Sequence, residues 1–267
     1  MQELIIVRPQ EDHAAANQRL EKVLRAAVKN IPSVTLKSAE AFETYFTTHK
    51  PSVDASFGRL LFVVDLGPNG MNLEYMRLLA LLRSHTNLLE GWLGAVIIDA
   101  QSELYTKSSA CELVFAANIA GCAFIGRSLV EGTASLKNFN VTRRKLALDT
   151  LEDAYIESAQ AMLTSLMGFE PIHKEMPKLA VIHASSHKKP NTFALWHEVA
   201  SYLDGFAIEE IGLRNGAVQD CAGCPYKTCL HFGEKESCFY GGVMVENVYP
   251  AVKSADAVIM ICPNYND

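Results

Sequence analysis

Two apolar stretches, Leu60-Leu-Phe-Val-Val64 and Leu93-Gly-Ala-Val-Ile-Ile98, carry no charged side chain. Continuous runs of this kind predict strands that are buried on both faces, as in a parallel sheet covered by helices. Further strands of one sheet are predicted at residues 4–7, 34–37 and 122–125. Amphipathic helical stretches alternate with these strands, and the last of them is predicted to be one long helix over about 141–166. The sequence therefore predicts a doubly wound parallel α/β domain over residues 1–168.

The same alternation restarts after residues 169–177, which contain two prolines and no periodicity and are predicted to be a linker. Strands are predicted at 179–183, 206–213 and 257–262, with a helix from Asn191 and another over 245–254. We therefore expect two tandem three-layer units, with the second over 178–267. Because the second has only three strands, we expect it to be truncated and the chain to be the front part of a longer protein.

Composition excludes several classes of protein. The chain has 267 residues, 49% hydrophobic residues and a net charge of −6, which is globular composition without the basic field that nucleic acid requires. No apolar run reaches the roughly 18 residues of a membrane span. The N-terminus does not resemble a secretory signal, so we expect a cytoplasmic protein that contacts neither nucleic acid nor membrane.

The segment Ala184-Ser-Ser-His-Lys-Lys-Pro-Asn-Thr192 joins a predicted strand to the start of a helix. The unpaired N–H groups and positive dipole end of a helix N-terminus suit a phosphate, and the loop adds hydroxyl, amide and cationic side chains. The alternative is a solvated loop in which Asn191 caps the helix. In the first domain, Arg8-Pro-Gln-Glu-Asp12 follows the first strand and is acidic, which disfavours phosphate there.

This segment resembles the FMN-phosphate loop of the NADPH-dependent FMN reductase and iron–sulfur flavoprotein family, Gly-Ser-x-Arg-x-x-Gly-Asn-Ser/Thr. Ala184 stands for the first Gly, His187 for the Arg and Pro190 for the second Gly, while Ser185 and Asn191-Thr192 match directly. At the end of the last predicted strand, Cys262-Pro263-Asn264-Tyr265 is similar to the family's Ser-Pro-x-Tyr.

The resemblance, over residues 178–267, implies a flavodoxin-like fold for the second unit and FMN as its cofactor. Because the first unit has the same layered plan but no recognisable phosphate loop, we interpret it as a flavodoxin-like domain without an evident cofactor motif. The resemblance implies that the phosphate is held by Ser185, His187, Asn191 and Thr192, and that the isoalloxazine ring faces Pro263, Asn264 and Tyr265. It also implies a flavin-dependent oxidoreductase that passes electrons from NAD(P)H, or from an iron–sulfur centre, to an unidentified small-molecule or protein acceptor. We expect a homo-oligomer.

Four of the seven cysteines form a C-x2-C-x4-C-x8-C pattern, at Cys221, Cys224, Cys229 and Cys238. Four thiolates in one segment can bind a [4Fe–4S] cluster or tetrahedral Zn²⁺. They can equally be reduced thiols, with Cys221 and Cys224 as a redox-labile pair. The family carries a compact four-cysteine motif at this place, which implies the cluster. Cys111 and Cys122 are expected to be buried small hydrophobes.

Two other functions remain open at this point. One is a non-catalytic electron-transfer module, which would bind flavin but not oxidise NAD(P)H. The other is a structural or interaction protein whose degenerate flavodoxin-like units mediate oligomers and bind no cofactor.

Overall fold

The computed structural model describes residues 3–10, 17–51, 57–67, 69–170, 174–184, 191–213, 216 and 218–262. It divides into two compact units, Met1–Pro171 and Ile172–Asp267, and this division falls inside the segment that was expected to be a linker. Each unit is described by itself below. No helix in the described residues is long and apolar enough to cross a membrane.

The first unit is a parallel five-stranded sheet with the order β2-β1-β3-β4-β5. Its strands are β1 (Leu4–Val7), β2 (Ser33–Leu36), β3 (Gly58–Leu66), β4 (Trp92–Ala100) and β5 (Ala123–Gly132). Its helices are α1 (Gln18–Ala27), α2 (Ala39–Thr48), α3 (Leu73–Ser84), α4 (Thr106–Ile119), α5 (Asn140–Lys145) and α6 (Leu151–Met167), and a 3₁₀ turn covers Lys137–Phe139. This strand order is the flavodoxin-like order.

The predicted apolar runs are the centre of this sheet. Every residue of β4 is buried, and β3 pairs with β4 in parallel over nine residues. One hydrophobic core lies on the α2–α4 face and a second lies on the α1 and α6 face. The expected three-layer doubly wound α/β architecture is therefore confirmed.

Two sequence-based boundaries in this unit are wrong. The single helix expected over about 141–166 is interrupted, and α6 begins afresh after Thr150, whose hydroxyl accepts the Asp153 N–H at 3.0 Å. Asp153 in turn accepts the Thr150 N–H at 3.1 Å, which completes a capping box. The strand expected at 122–125 extends to Gly132, because the chain continues past a register shift opposite Gly94 and a left-handed Gly126.

The second unit has a parallel sheet whose described strands have the order β7-β6-β8. These are β6 (Lys178–His183), β7 (Ala207–Gly212) and β8 (Ala257–Ile261), with helices α7 (Asn191–Ala200), α8 (Tyr226–Gly233) and α9 (Tyr249–Ser254) and a π-helix over Met244–Val248. The helix predicted at 245–254 is thus part π and part α. The helix α8 lies inside the four-cysteine segment, where no helix was predicted.

Both faces of β6 are covered. Leu179 and Val181 pack with Trp196 of α7, whereas Ala180 and Ile182 pack with Ala251 of α9. The order β7-β6-β8 repeats the order β2-β1-β3 of the first unit, so β6 and β8 occupy the places of β1 and β3. In both units, the chain reverses its direction of travel across the sheet between these two strands.

Candidate functional site

The candidate site of the second unit lies at the carboxyl ends of β6 and β8. These strands pair in parallel up to His183, which lies opposite Ile261, so Ala184 and Cys262 leave the sheet from neighbouring strand ends. In open α/β sheets, ligands bind beyond the carboxyl ends of the strands, where the strand order reverses. The two segments expected to contact the flavin therefore begin at this point of the sheet.

The helix α7 leads away from the same edge. It begins at Asn191, its first turn contains no acidic residue, and both Asn191 and Thr192 are exposed. A helix N-terminus has free N–H donors and a positive dipole end, which an anion stabilises. The N-terminus of α7 is thus electrostatically suited to a phosphate group.

Four of the six helices of the first unit differ from α7 in this respect, whereas α4 and α5 likewise have no acidic residue in their first turns. In α1, α2, α3 and α6 a side chain of the N-cap residue accepts a backbone N–H of the first turn, and each first turn contains an acidic residue. These helices supply their own negative charge at the position where α7 has none.

His183, the last residue of β6, makes an aromatic contact across the candidate site. Its ring centroid lies 4.3 Å from that of Phe193 in α7, and Phe193 makes an edge contact with His197 at 4.4 Å. One turn further along, the indole N–H of Trp196 donates to Glu210 of β7 at 2.8 Å. The His183–Phe193 and Trp196–Glu210 contacts attach α7 to the sheet.

At the topologically equivalent edge of the first unit, described side chains form a hydrogen-bonded cluster of their own. Asn17, the N-cap of α1, donates through Nδ2 to Asp65 at 3.0 Å and to Asp99 at 2.8 Å. The Arg19 guanidinium donates to both oxygens of Asp99, at 2.7 and 3.1 Å. Asp99 is fully buried, so its carboxylate is a structural anchor.

Burial also perturbs the titration of this cluster. Burial raises the pKa of Asp65, whereas the hydrogen bond from Asn17 lowers it by a smaller amount. Burial also raises the pKa of the Tyr155 hydroxyl well above its usual value, and the nearby Asp99 carboxylate adds to that rise. The Tyr155 oxygen lies near Asp99 but makes no hydrogen bond of good geometry. The Asp65 and Asp99 carboxylates, which Asn17 at the start of α1 contacts, disfavour a phosphate at this helix end.

The cysteine segment does not have the geometry of a metal site. Among the described residues, no three His, Cys, Asp or Glu side chains are grouped so that they could hold a metal ion. Cys229 lies within α8, Cys221 and Cys224 precede that helix and Cys238 follows it, and all four are free thiols. Thiols are suitable ligands, but the arrangement of these four in the described structure does not fit an iron–sulfur cluster or zinc.

The other three cysteines differ in their exposure to solvent. Cys122 is buried as expected, and burial raises the pKa of its thiol. Cys111 was expected to be buried and is exposed, because it lies on the outer face of α4. Cys262, just after β8, is exposed.

Residues 177–267 match the model of the NADPH-dependent FMN reductase family. The resemblance stated for residues 178–267 is thereby confirmed. Among solved structures, the chain is similar to a short-chain flavodoxin associated with a non-canonical PDU bacterial microcompartment, with 11% identity and a TM-score of 0.40 over 62% of this chain and 99% of that one. Comparison with curated proteins gives no match.

The structure places only part of the predicted FMN reductase-like site. Asn191 and Thr192 lie at the start of α7, at the expected edge of the sheet. Ser185, His187, Pro263, Asn264 and Tyr265 lie outside the described residues. The contact of His183 with Phe193 was not predicted, since its only local signal in the sequence is a histidine at the end of an apolar strand.

Proposed function

We propose that the second unit binds FMN and acts as a flavin-dependent oxidoreductase. The observation that carries this proposal is the N-terminus of α7, which has no acidic residue in its first turn and follows β6 beside the end of β8. The match to the NADPH-dependent FMN reductase family covers this region. Together they favour a phosphate-bearing ligand at the point where the strand order reverses.

In this proposal Ser185, His187, Asn191 and Thr192 hold the phosphate, and Pro263, Asn264 and Tyr265 contact the ring. The donor set fits, since hydroxyl, amide and imidazole groups can all donate to phosphate oxygens. FMN, when bound, supplies hydride and electron-transfer chemistry. The protein binds and orients it, and NAD(P)H is the proposed electron donor for an acceptor that is a small molecule or a protein.

The first unit has no part in cofactor binding in this proposal. Its equivalent edge is occupied by the Asn17, Arg19, Asp65 and Asp99 cluster, whose carboxylates disfavour a phosphate. The cysteine segment also has no assigned role in electron transfer. A cytoplasmic homo-oligomer remains our expectation.

The activity test is anaerobic reduction of the FMN-loaded protein. We expect NADPH or NADH to bleach the visible absorption of bound flavin, and an added electron acceptor to restore it. Bound flavin that neither nicotinamide reduces would refute the oxidoreductase and favour a non-catalytic electron-transfer module. A protein that binds no FMN at all would refute the proposal as a whole.

A further inference from the structure

The last helical segment of the second unit has apolar side chains on two faces. It consists of the π-helix over Met244–Val248 followed by α9, and it packs on β6 through Val248 and Ala251. A second row of apolar side chains along the segment is exposed, namely Met244, Tyr249 and Val252. A helix of a globular protein normally presents polar side chains on the face that its sheet does not cover. This exposed row, the apolar stripe, therefore indicates that a further apolar group packs on it.

A cavity of about 440 Å³ lies against the apolar stripe. Its second wall is the end of α8 and the turn that follows, at Gly233, Glu236 and Ser237, and the described residues of this wall contribute no apolar side chain. A Cβ added to Gly233 would meet no atom from elsewhere in the described chain within 4 Å, so the space between the walls is open there. Small-molecule sites have volumes of roughly 300–1,000 Å³ and mostly apolar walls. The cavity has the size of such a site, and the apolar stripe is its apolar wall.

An ion pair joins the two walls of the cavity. Lys253 of α9 pairs with Glu236, which lies in the turn after α8 with a left-handed backbone (φ 56°). Because this pair bridges the segments that form the two walls, it leaves no continuous groove for a helix, an extended peptide or a long acyl chain. It also neutralises Glu236, the charged side chain among the described residues of the lining. A charged ligand would lose its hydration here without gaining a counter-ion, whereas an uncharged apolar ligand would not.

The backbone of the apolar wall is unusual as well. The lining residues Met244, Val245 and Val248 belong to the π-helix, and π-helical turns are rare in proteins but frequent at functional sites. The cavity lies on the opposite face of β6 from α7, because α7 packs through Trp196 on the other side of that strand. It is therefore separate from the proposed phosphate site.

We propose that this cavity binds a small uncharged molecule with a hydrophobic ring system. The ligand removes from water the apolar stripe, which neither β6 nor α8 covers. Tyr249 adds an aromatic side chain against which a ring can pack, and the bounded shape of the cavity suits a compact ring. The site lies outside the function proposed above and does not depend on FMN.

The experiment uses N-phenyl-1-naphthylamine, an uncharged compound whose fluorescence rises when it enters an apolar site. We expect the full-length wild type to bind one equivalent. Gly233→Phe places a side chain in the cavity and should weaken binding at least about tenfold, because part of the probe then stays in water. The matched control is Gly205→Phe, between α7 and β7, where an added Cβ likewise meets no atom from elsewhere in the described chain within 4 Å. This control should bind the probe like wild type.

A second pair of variants separates a ligand cavity from an interface between copies of the chain. Val252→Lys introduces a charge into the apolar stripe and should weaken probe binding, whereas Val199→Lys, at a similarly exposed position of α7, should not. The inference is overturned if wild type does not bind the probe or if the two glycine variants bind it alike. It is also overturned if wild type is a dimer that Val252→Lys converts to a monomer, because a second copy would then cover the stripe.

The affinity for FMN keeps this inference apart from the proposed function. Gly233→Phe should bind FMN like wild type, because the cavity lies across the sheet from α7. Wild-type protein that binds the probe but no FMN would overturn the proposed function and support the cavity. Loss of both ligands in Gly233→Phe would show damage to the whole unit and would count against the cavity.

Discussion

Replacing Asp99 should destabilise the first unit strongly. The buried Asp99 carboxylate accepts hydrogen bonds from Asn17 Nδ2 at 2.8 Å and from Arg19 Nη2 and Nε at 2.7 and 3.1 Å. Asp99→Ala would leave the Arg19 guanidinium, whose side chain is only 21% exposed, without its carboxylate. Breaking a buried ion pair from one side costs about 3–5 kcal/mol. That loss would lower the urea midpoint of the unit by roughly 1–3 M.

The two tryptophans allow this loss to be measured in one unit. Trp92 lies in the first unit and Trp196 in the second, so a Trp196→Phe background leaves the fluorescence of the first unit alone. The matched control is Glu112→Ala, which removes an exposed ion pair with Arg83 and should cost less than about 1 kcal/mol. If Asp99→Ala cost no more than Glu112→Ala, the cluster would not be a structural anchor.

Three further results are expected. In the same urea assay, Asp65→Asn should stabilise the first unit at pH 7, and this gain should disappear towards about pH 4. The reason is that burial raises the pKa of Asp65, so ionisation of its carboxyl lowers the stability of the unit as the pH rises. An equal gain in stability at both pH values would contradict this reasoning. Gly94→Ala should lower the free energy of unfolding of the first unit by about 1–3 kcal/mol, because the added Cβ would lie 2.6 Å from the Phe124 ring. An unchanged urea midpoint would show that the ring can move aside. A thiol reagent should modify the exposed cysteines of the native protein quickly and Cys122 only after unfolding, whereas protection of the cysteine segment that a chelator relieves would show a bound metal. The exposed cysteines are Cys111, Cys221, Cys229, Cys238 and Cys262.

The central strands of the first unit were predictable because a strand that is buried on both faces is a continuous run of apolar residues in the sequence. The runs at 60–64 and 93–98 are the interiors of β3 and β4. The break before α6 was harder to predict, since apolar spacing continues through it. The capping pair Thr150 and Asp153 is visible in the sequence, but helical periodicity outweighed it. The helix α8 is short and buries no residue, so no hydrophobic pattern marks it.

The candidate site was predictable only where a local motif carries it. Asn191 and Thr192 belong to a loop motif and lie at the predicted strand–helix junction. The Asn17–Asp99 contact joins residues 82 positions apart, so only the folded sheet brings them together. The cysteine spacing left a cluster, zinc and reduced thiols open, and the described residues show no group of metal ligands there. Close spacing in sequence does not by itself bring thiols together when a helix separates them.

The proposal that the N-terminus of α7 holds the FMN phosphate is tested most directly by measuring FMN binding to the full chain. Wild type is compared with two variants that carry equal charge. Asn191→Asp introduces a carboxylate into the first turn of α7, and Ser201→Asp introduces one just beyond its C-terminal end. If the N-terminus of α7 holds the phosphate, wild type and Ser201→Asp bind FMN alike, whereas Asn191→Asp binds it at least about tenfold more weakly. Wild-type protein that does not bind FMN, or equal affinity in all three, would contradict the claim.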